Sequence, residues 1–299
     1  MPLQTAPSSR TTAGLTSAEA GELSPYHYLP TERICILFIV LFSISGVIHV
    51  VQAGYSRTYW LFPTVVAGVA GEVIGWAGRL WSNHNVLLNV PFKMQLVTLV
   101  IAPTPLLAAI FVILGMVIER LGPQYSRLSP RWYSVVFVSC DVVALLLQAA
   151  GGGAASSTAQ NSVTVGGHLL LAGIAFQLGA MSVFMILSAE FLLRYYTDRP
   201  VRVKLASAPY PARVMIDRPT VLTIISIALS TLFLFVRAIY RTIELANGWE
   251  GRVIRVQRYF NGMDGAMVAL AVFTLNVLHP GFLLGSDEER AGEMALRKI

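Results

Sequence analysis

Nine side chains in this sequence place charge or amide chemistry inside long apolar stretches: Glu72, Arg79, Asp141, Gln148, Gln177, Arg237, Arg241, Glu244 and Asp264. Their spacing is ordered. Glu72 and Arg79 are seven residues apart, close to two helical turns, so on a helix they share one face with Trp76 between them. Gly68 and Gly75 fall within about 60° of Glu72 on the same wheel at roughly 100° per residue. Charges flanked by small residues have the pattern of a closely packed helix seam. Asp141 and Gln148 repeat the spacing, and Arg237, Arg241 and Glu244 form a third stripe. Guanidinium groups bind phosphate or carboxylate in forked geometry, and carboxylates bind ammonium groups. Such a set suits recognition of a charged head group. The same residue types also lock helices together through internal pairs, and both readings stand at this stage.

Other constellations are missing. The five histidines include no pair at i, i+4, so a zinc hydrolase site is not expected. His49 and His279 sit near one end of their apolar runs. Without a placed carboxylate or cysteine they read as satisfied polar residues rather than metal or haem ligands. No Gly-x-x-x-x-Gly-Lys-Ser/Thr loop occurs, and Gly151–Gly153 lacks the strand context of a phosphate loop. Cys35 and Cys140 both lie in apolar runs and read as buried structural thiols. No nucleophile and base can be assembled. Neither an enzyme, a cofactor nor a metal is expected.

The elements that must position the nine residues follow from composition. Of the 299 residues 55% are apolar and 13% charged, about half the charge of an ordinary soluble domain. A water-facing surface for a chain of this size cannot be built from so few charges. The expectation is an all-α polytopic membrane protein with seven transmembrane helices over 33–53, 60–81, 95–118, 132–153, 166–191, 220–242 and 263–284. Each run is long enough to cross about 30 Å of hydrocarbon. Residues 1–32 read as a flexible extracytoplasmic tail, 33–284 as the membrane domain and 285–299 as a cytoplasmic tail. Pro103 and Pro105 predict a kink in span three, and Gly151–Gly153 predicts a loosened last turn in span four. Tyr55, Tyr59, Trp60, Trp132, Tyr133, Tyr195, Tyr196, Tyr259 and Phe260 mark span ends as interfacial belts.

The net charge of +6 serves orientation rather than nucleic-acid binding, which no basic run interleaved with aromatics supports. With the N-terminus outside and the C-terminus inside, thirteen basic residues face inward, six of them in loop 192–219, and five face outward. Arg79, Gln148, Arg237, Arg241, Glu244 and Asp264 then converge on the outer half, with Glu72 and Asp141 deeper and Gln177 near the middle of span five. An odd number of spans without a visible repeat argues against two inverted halves.

From Tyr26 to Gly281 the residues resemble the fungal lipid-translocating exporters, seven-helix proteins related to the aminocholesterol-resistance and sphingoid long-chain-base exporters of yeasts. The landmarks come in order. Tyr26-His27-Tyr28-Leu29-Pro30 precedes span one and His49 closes it. Glu72-Val-Ile-Gly75-Trp76-Ala-Gly78-Arg79 is similar to the second span's signature, with Trp76 where Tyr is usual. Ala102-Pro103 with Ala108-Ala109, Asp141 to Gln148 with Gly151–Gly153, and Gly173 with Gln177 follow. Arg237-Ala-Ile-Tyr240-Arg241-Thr-Ile-Glu244 and Asp264 with His279-Pro280-Gly281 complete the set. Gln257 stands where the family usually has Glu. The resemblance implies a plasma-membrane transporter or translocase that exports or flops amphiphiles such as sphingoid bases, phospholipids, toxic compounds or, in one branch, porphyrins. Its expected partners are membrane lipids or amphiphilic small molecules. The alternative is a seven-helix receptor or sensor of a lipid-like ligand.

Overall fold

The computed structural model describes residues 24, 26, 28–85, 88–155, 160–201, 215–247 and 251–285. Most of the predicted 1–32 tail, residues 202–214 of the basic 192–219 loop and residues 286–299 of the predicted C-terminal tail lie outside the described residues. Seven helices are long and apolar enough to span a bilayer: α1 (Glu32–Tyr55), α2 (Tyr59–His84), α3 (Asn89–Leu121), α4 (Pro130–Ala154), α5 (Thr164–Tyr196), α6 (Arg218–Ala246) and α7 (Gln257–Leu284). At about 1.5 Å per residue even α1, with 24 residues, exceeds the ~30 Å hydrocarbon core. The described residues contain no strand. The expected seven-span, all-helical class is what forms.

Neighbours in sequence pack as neighbours in space, and α7 returns to α1. The most buried span is α3, which touches α2, α4 and α6. Its two prolines act as expected. The first segment runs Asn89–Ile101 and the second starts at Pro103. Pro103 has no N–H to offer the carbonyl four residues back and clashes with it, so the Leu99 oxygen is released from the helix ladder.

Glycines set how closely spans approach. A Cβ on Gly68 would lie 2.8 Å from the Ala102 carbonyl oxygen, one on Gly71 3.0 Å from Ala102 Cβ, and one on Gly78 3.1 Å from the Pro91 oxygen. Gly75 meets Leu99 and Thr98 in the same way. The small-residue stripe of α2 therefore fits against the interrupted α3. The glycine run of α4 does not loosen its last turn. The helix continues past Gly153, and a Cβ on Gly151 would stand 2.8 Å from the Gly166 oxygen of α5. Close approach to a neighbour, rather than flexibility, is what this glycine supplies.

The aromatic span ends divide. Tyr55, Tyr59, Trp132, Tyr196 and Tyr259 are exposed, as belt residues should be. Tyr133, Tyr195 and Phe260 are buried instead and pack inside the bundle. Helix periodicity explains the split, because adjacent residues point about 100° apart. Cys35 is buried, Cys140 half-buried, and both are free thiols.

At one end of the bundle Asn83 Nδ2 donates to the Pro30 oxygen at 2.6 Å and Thr31 donates to Gln257 Oε1 at 3.0 Å. At the other, Arg120 pairs with Asp217 at 3.0 Å and Glu190 bridges Arg127 and Arg194, each at 2.7 Å. Replacing Gly68 by Ala should cost about 1–3 kcal/mol through overpacking against backbone. Gly179→Ala, whose Cβ meets nothing within 4 Å, should cost nothing and raise stability by up to about 1 kcal/mol through helix propensity. Thermal unfolding of the detergent-solubilised chain measures both.

Candidate functional site

The helices bring the charged stripes of α2, α6 and α7 together. Asp264 accepts from Arg241 Nε at 2.7 Å and Nη2 at 2.8 Å, while Arg237 Nε lies 2.9 Å from the same carboxylate. Arg241 Nη1 also donates to Glu244 Oε2 at 3.0 Å, and Tyr240 donates to Glu244 Oε1 at 2.9 Å. Arg237 Nη2 reaches the Leu99 oxygen at 2.5 Å, the carbonyl released by Pro103. Asp264 is delivered by a π-helical turn, Phe260–Gly265, at the start of α7. The expectation that α7 begins near 263 falls short, since Gln257–Gly262 is too polar for a hydropathy criterion to include. All these groups are buried.

Glu72 belongs to the same region. Its charge acts on, and is acted on by, Arg237, Asp264 and Arg241. Yet neither carboxyl oxygen has a hydrogen-bond partner. Trp76, one turn on, is fully buried beside it and stacks on Phe38 with ring centroids 4.2 Å apart.

Arg79 does not join the carboxylates. Its Nη1 donates to Gln95 Oε1 at 3.2 Å and its Nη2 to the Tyr28 hydroxyl. The guanidinium lies 4.2 Å from the centroid of Phe260, 5.1 Å from that of Tyr26 and 5.8 Å from that of Trp76. Phe260 is shared with Arg241, 5.0 Å away, so one ring is flanked by two cations. The described residues just before α1 thus form a packed strap. Ser24 and Tyr26 are buried, and Tyr26 shares a hydrogen bond of 3.1 Å with Ser82. This corrects the expected flexible tail at its last residues: apolar rings had a guanidinium and a groove to cover.

Asp141, Gln148 and Gln177 come together separately, between α4 and α5. Gln148 Nε2 donates to Gln177 Oε1 at 3.2 Å, Asp141 lies near Gln177, and Asp141 Oδ2 is left without a partner. A cavity joins this neutral-amide group to the charged one. Gln148, Gln177, Arg237 and Arg241 line it with Pro103, Met181 and Leu234. It offers about 20 Å³ to the centres of water-sized molecules, room for one or two waters.

Nearer the opposite end, Ser45, Gln52 and Asn276 tie α1 to α7. Ser45 donates to Asn276 Oδ1, and Gln52 Nε2 donates to the Asn276 oxygen at 2.9 Å. His49 and His279 lie beside this group with ring centroids 6.0 Å apart. Among the described residues no group of three or more His, Cys, Asp or Glu could hold a metal ion.

Sequence reasoning missed Tyr26, Tyr28, Phe260 and Gln95 as partners of Arg79, and Gln52 and Asn276 as a polar seam. The amides at membrane depth were a usable signal. The aromatic partners were not, because nothing local distinguishes a cage ring from a belt ring.

Two outcomes follow. Asp264→Asn leaves the buried Arg237 without an ion-pair partner and Arg241 with Glu244 alone, and should cost about 3–5 kcal/mol, read as a fall in unfolding temperature. Burial pushes the Tyr26 phenol up to about 12 from an ordinary 10. The strap's docking energy is therefore fully present below pH 10 and declines as pH rises from 10 towards 12. Limited proteolysis near residue 30 across that range tests it.

Residues 65–287 match the family described as RTA1 like protein. The sphingoid long-chain base transporter RSB1 of Saccharomyces cerevisiae is 33% identical over 278 residues, covering 85% of this chain and 72% of that protein. Protein RTA1 of the same yeast is 28% identical, covering 85% and 84%. Its protoporphyrin uptake protein 1 is 28% identical, covering 84% and 90%. No solved structure matches the chain. Seven membrane-spanning helices, a charged α2–α6–α7 core and these relatives lead to one statement of kinship: the chain belongs to the RTA1-like family.

Proposed function

We propose that this protein moves amphiphiles with a polar amine head group, such as sphingoid long-chain bases, across the plasma membrane towards the outer leaflet, and so contributes to resistance against toxic amphiphiles. The observation that carries the reading is the cavity at membrane depth between α3, α4, α5 and α6, with amides on one wall and guanidiniums on the other. Glu72, a buried carboxyl whose oxygens meet no hydrogen-bond partner, interacts electrostatically with two of the arginines that line it. Ionisable groups at such depth face a protein interior or a wet path. The transporter relative supports the substrate class.

Orientation follows the basic loops, with the Arg79 end outside. The cavity holds about one or two waters, so a head group enters only when the α4–α5 pair parts from α6. The tail stays in lipid or in the opened seam. Glu72 and Asp141, the two carboxyls with unpartnered oxygens, are the sites that receive the amine. No nucleotide-binding loop occurs in the sequence, so a gradient or downhill release supplies the energy.

The second reading is a seven-helix sensor, favoured by the small size of the same cavity, which would then bind a ligand without passing it. Purified protein in liposomes separates the two. A translocase moves a fluorescent long-chain base between leaflets unaided, whereas a sensor only binds it. In cells, Glu72→Gln and Asp141→Asn protein present at normal level should lose at least tenfold in export of that probe. Unchanged export in both would remove these carboxyls from the pathway.

A further inference from the structure

The α2–α6–α7 core contains three guanidiniums, Arg79, Arg237 and Arg241, and three carboxylates, Glu72, Glu244 and Asp264. Asp264 is taken by Arg237 and Arg241, and Glu244 by Arg241 and Tyr240. Once these pairs are made, one group of each sign is left over. Glu72 has two unpartnered oxygens, and Arg79 has an unpartnered Nε. Among the described residues Arg79 meets no carboxylate within ion-pair distance. Its two hydrogen bonds go to a neutral amide and a phenol. Both leftover groups are almost completely buried, on one face of α2, about 10 Å apart along its axis at ~1.5 Å per residue.

We propose that Glu72 and Arg79 are the two poles of one site for amphiphiles that carry an ammonium and a phosphate together, the ammonium at Glu72 and the phosphate at Arg79. This rests on the reading above that Glu72 receives the amine of a translocated head group.

A guanidinium buried without a counter-ion is costly, and a dianionic or monoanionic phosphate is the ligand its fork matches best. The Tyr28 hydroxyl already occupies Nη2 as an oxygen acceptor, next to the vacant Nε. A phosphate binding the Nε–Nη2 edge takes two donors where the phenol takes one, and displaces the strap as it does so. The rings of Trp76 and Phe260, which stay in place when the strap leaves, keep water from the guanidinium and strengthen that contact. Two kinds of lipid share this chemistry: the phosphate monoester of a long-chain amino alcohol and the phosphodiester of an aminophospholipid.

The test uses the full chain in liposomes with three fluorescent probes of matched tail: a long-chain amino alcohol, its phosphate monoester and a lysophosphoethanolamine. Binding is read by quenching titration and movement by leaflet-selective bleaching. The expected result is that Arg79→Gln weakens the phosphate-bearing probe or probes about tenfold or more while the amino alcohol stays within about twofold. Glu72→Gln should weaken every probe. Tyr28→Phe, which removes only the competing hydroxyl, should tighten the phosphate-bearing probes about threefold and leave the amino alcohol unchanged. Which phosphate probe responds identifies the lipid source.

Equal loss of the amino alcohol and its phosphate in Arg79→Gln, or no loss of either, overturns the proposal. Should Arg79→Gln fail to fold, a silent Tyr28→Phe overturns it alone. A wild-type chain that moves the amino alcohol but binds neither phosphate probe rejects the two-pole site and leaves the transport reading standing. One that binds the phosphate probes through Arg79 but moves nothing upholds the site and rejects transport.

Discussion

A single carboxylate shared by two guanidiniums at membrane depth organises this molecule. Asp264 accepts from Arg241 and lies 2.9 Å from Arg237, so α6 and α7 are fixed against each other in rotation as well as in depth. Each guanidinium then extends the constraint. Arg237 reaches the Leu99 carbonyl on the central helix α3, an acceptor that exists only because Pro103 supplies no N–H there. Arg241 holds Glu244 and faces the Phe260 ring. Neither lipid nor water could replace these partners in the bundle interior, since a lone charge there is among the most expensive things to bury. A proline that interrupts one helix and a π-turn that redirects another are thus parts of one arrangement.

The core has two chemically different sides. α2, α6 and α7 supply fixed charges, whereas α4 and α5 supply Gln148, Gln177 and Asp141, whose Oδ2 has no partner. The pairing of α4 with α5 is tight, through Gly151 and Gly173, whose added Cβ atoms would meet backbone at 2.8 and 2.9 Å. The cavity between this pair and α6 is lined mainly by apolar residues. Parting the bundle along that line leaves the α6–α7 ion pairs and the Gln148–Gln177 hydrogen bond intact. Under the proposed function, this is the seam that opens for a head group.

Seven spans were legible in the sequence because an apolar run of about 20 residues has few other fates. The nine polar residues were legible for the same reason in reverse: at 13% charge, each ionisable group inside a run stands out. What the sequence withheld was pairing. Glu72 and Arg79 share a helix face, as their spacing requires, yet Arg79 turns to Tyr28 and Phe260 rather than to a carboxylate. Such choices depend on where distant segments dock, and no local periodicity encodes them. The glycines of α4 mislead for a related reason. Glycine loosens an isolated helix, but against a neighbour's backbone it permits contact instead, and only the neighbour's position tells the two apart.

The π-turn at Phe260–Gly265 has a consequence for phase. A π-turn holds one residue more than the α-turn it replaces, so residues before it and after it lie on two helical wheels offset by roughly 100°. Phe260 is addressed to the Arg79 cage on one wheel, and Asn276 to the α1 seam on the other. Losing one residue within the turn would restore a regular helix of nearly the same length and hydropathy. It would also swing the first turn of α7, with Phe260, away from both guanidiniums. The helix counts correctly only because it carries a residue that straight α-geometry would leave out.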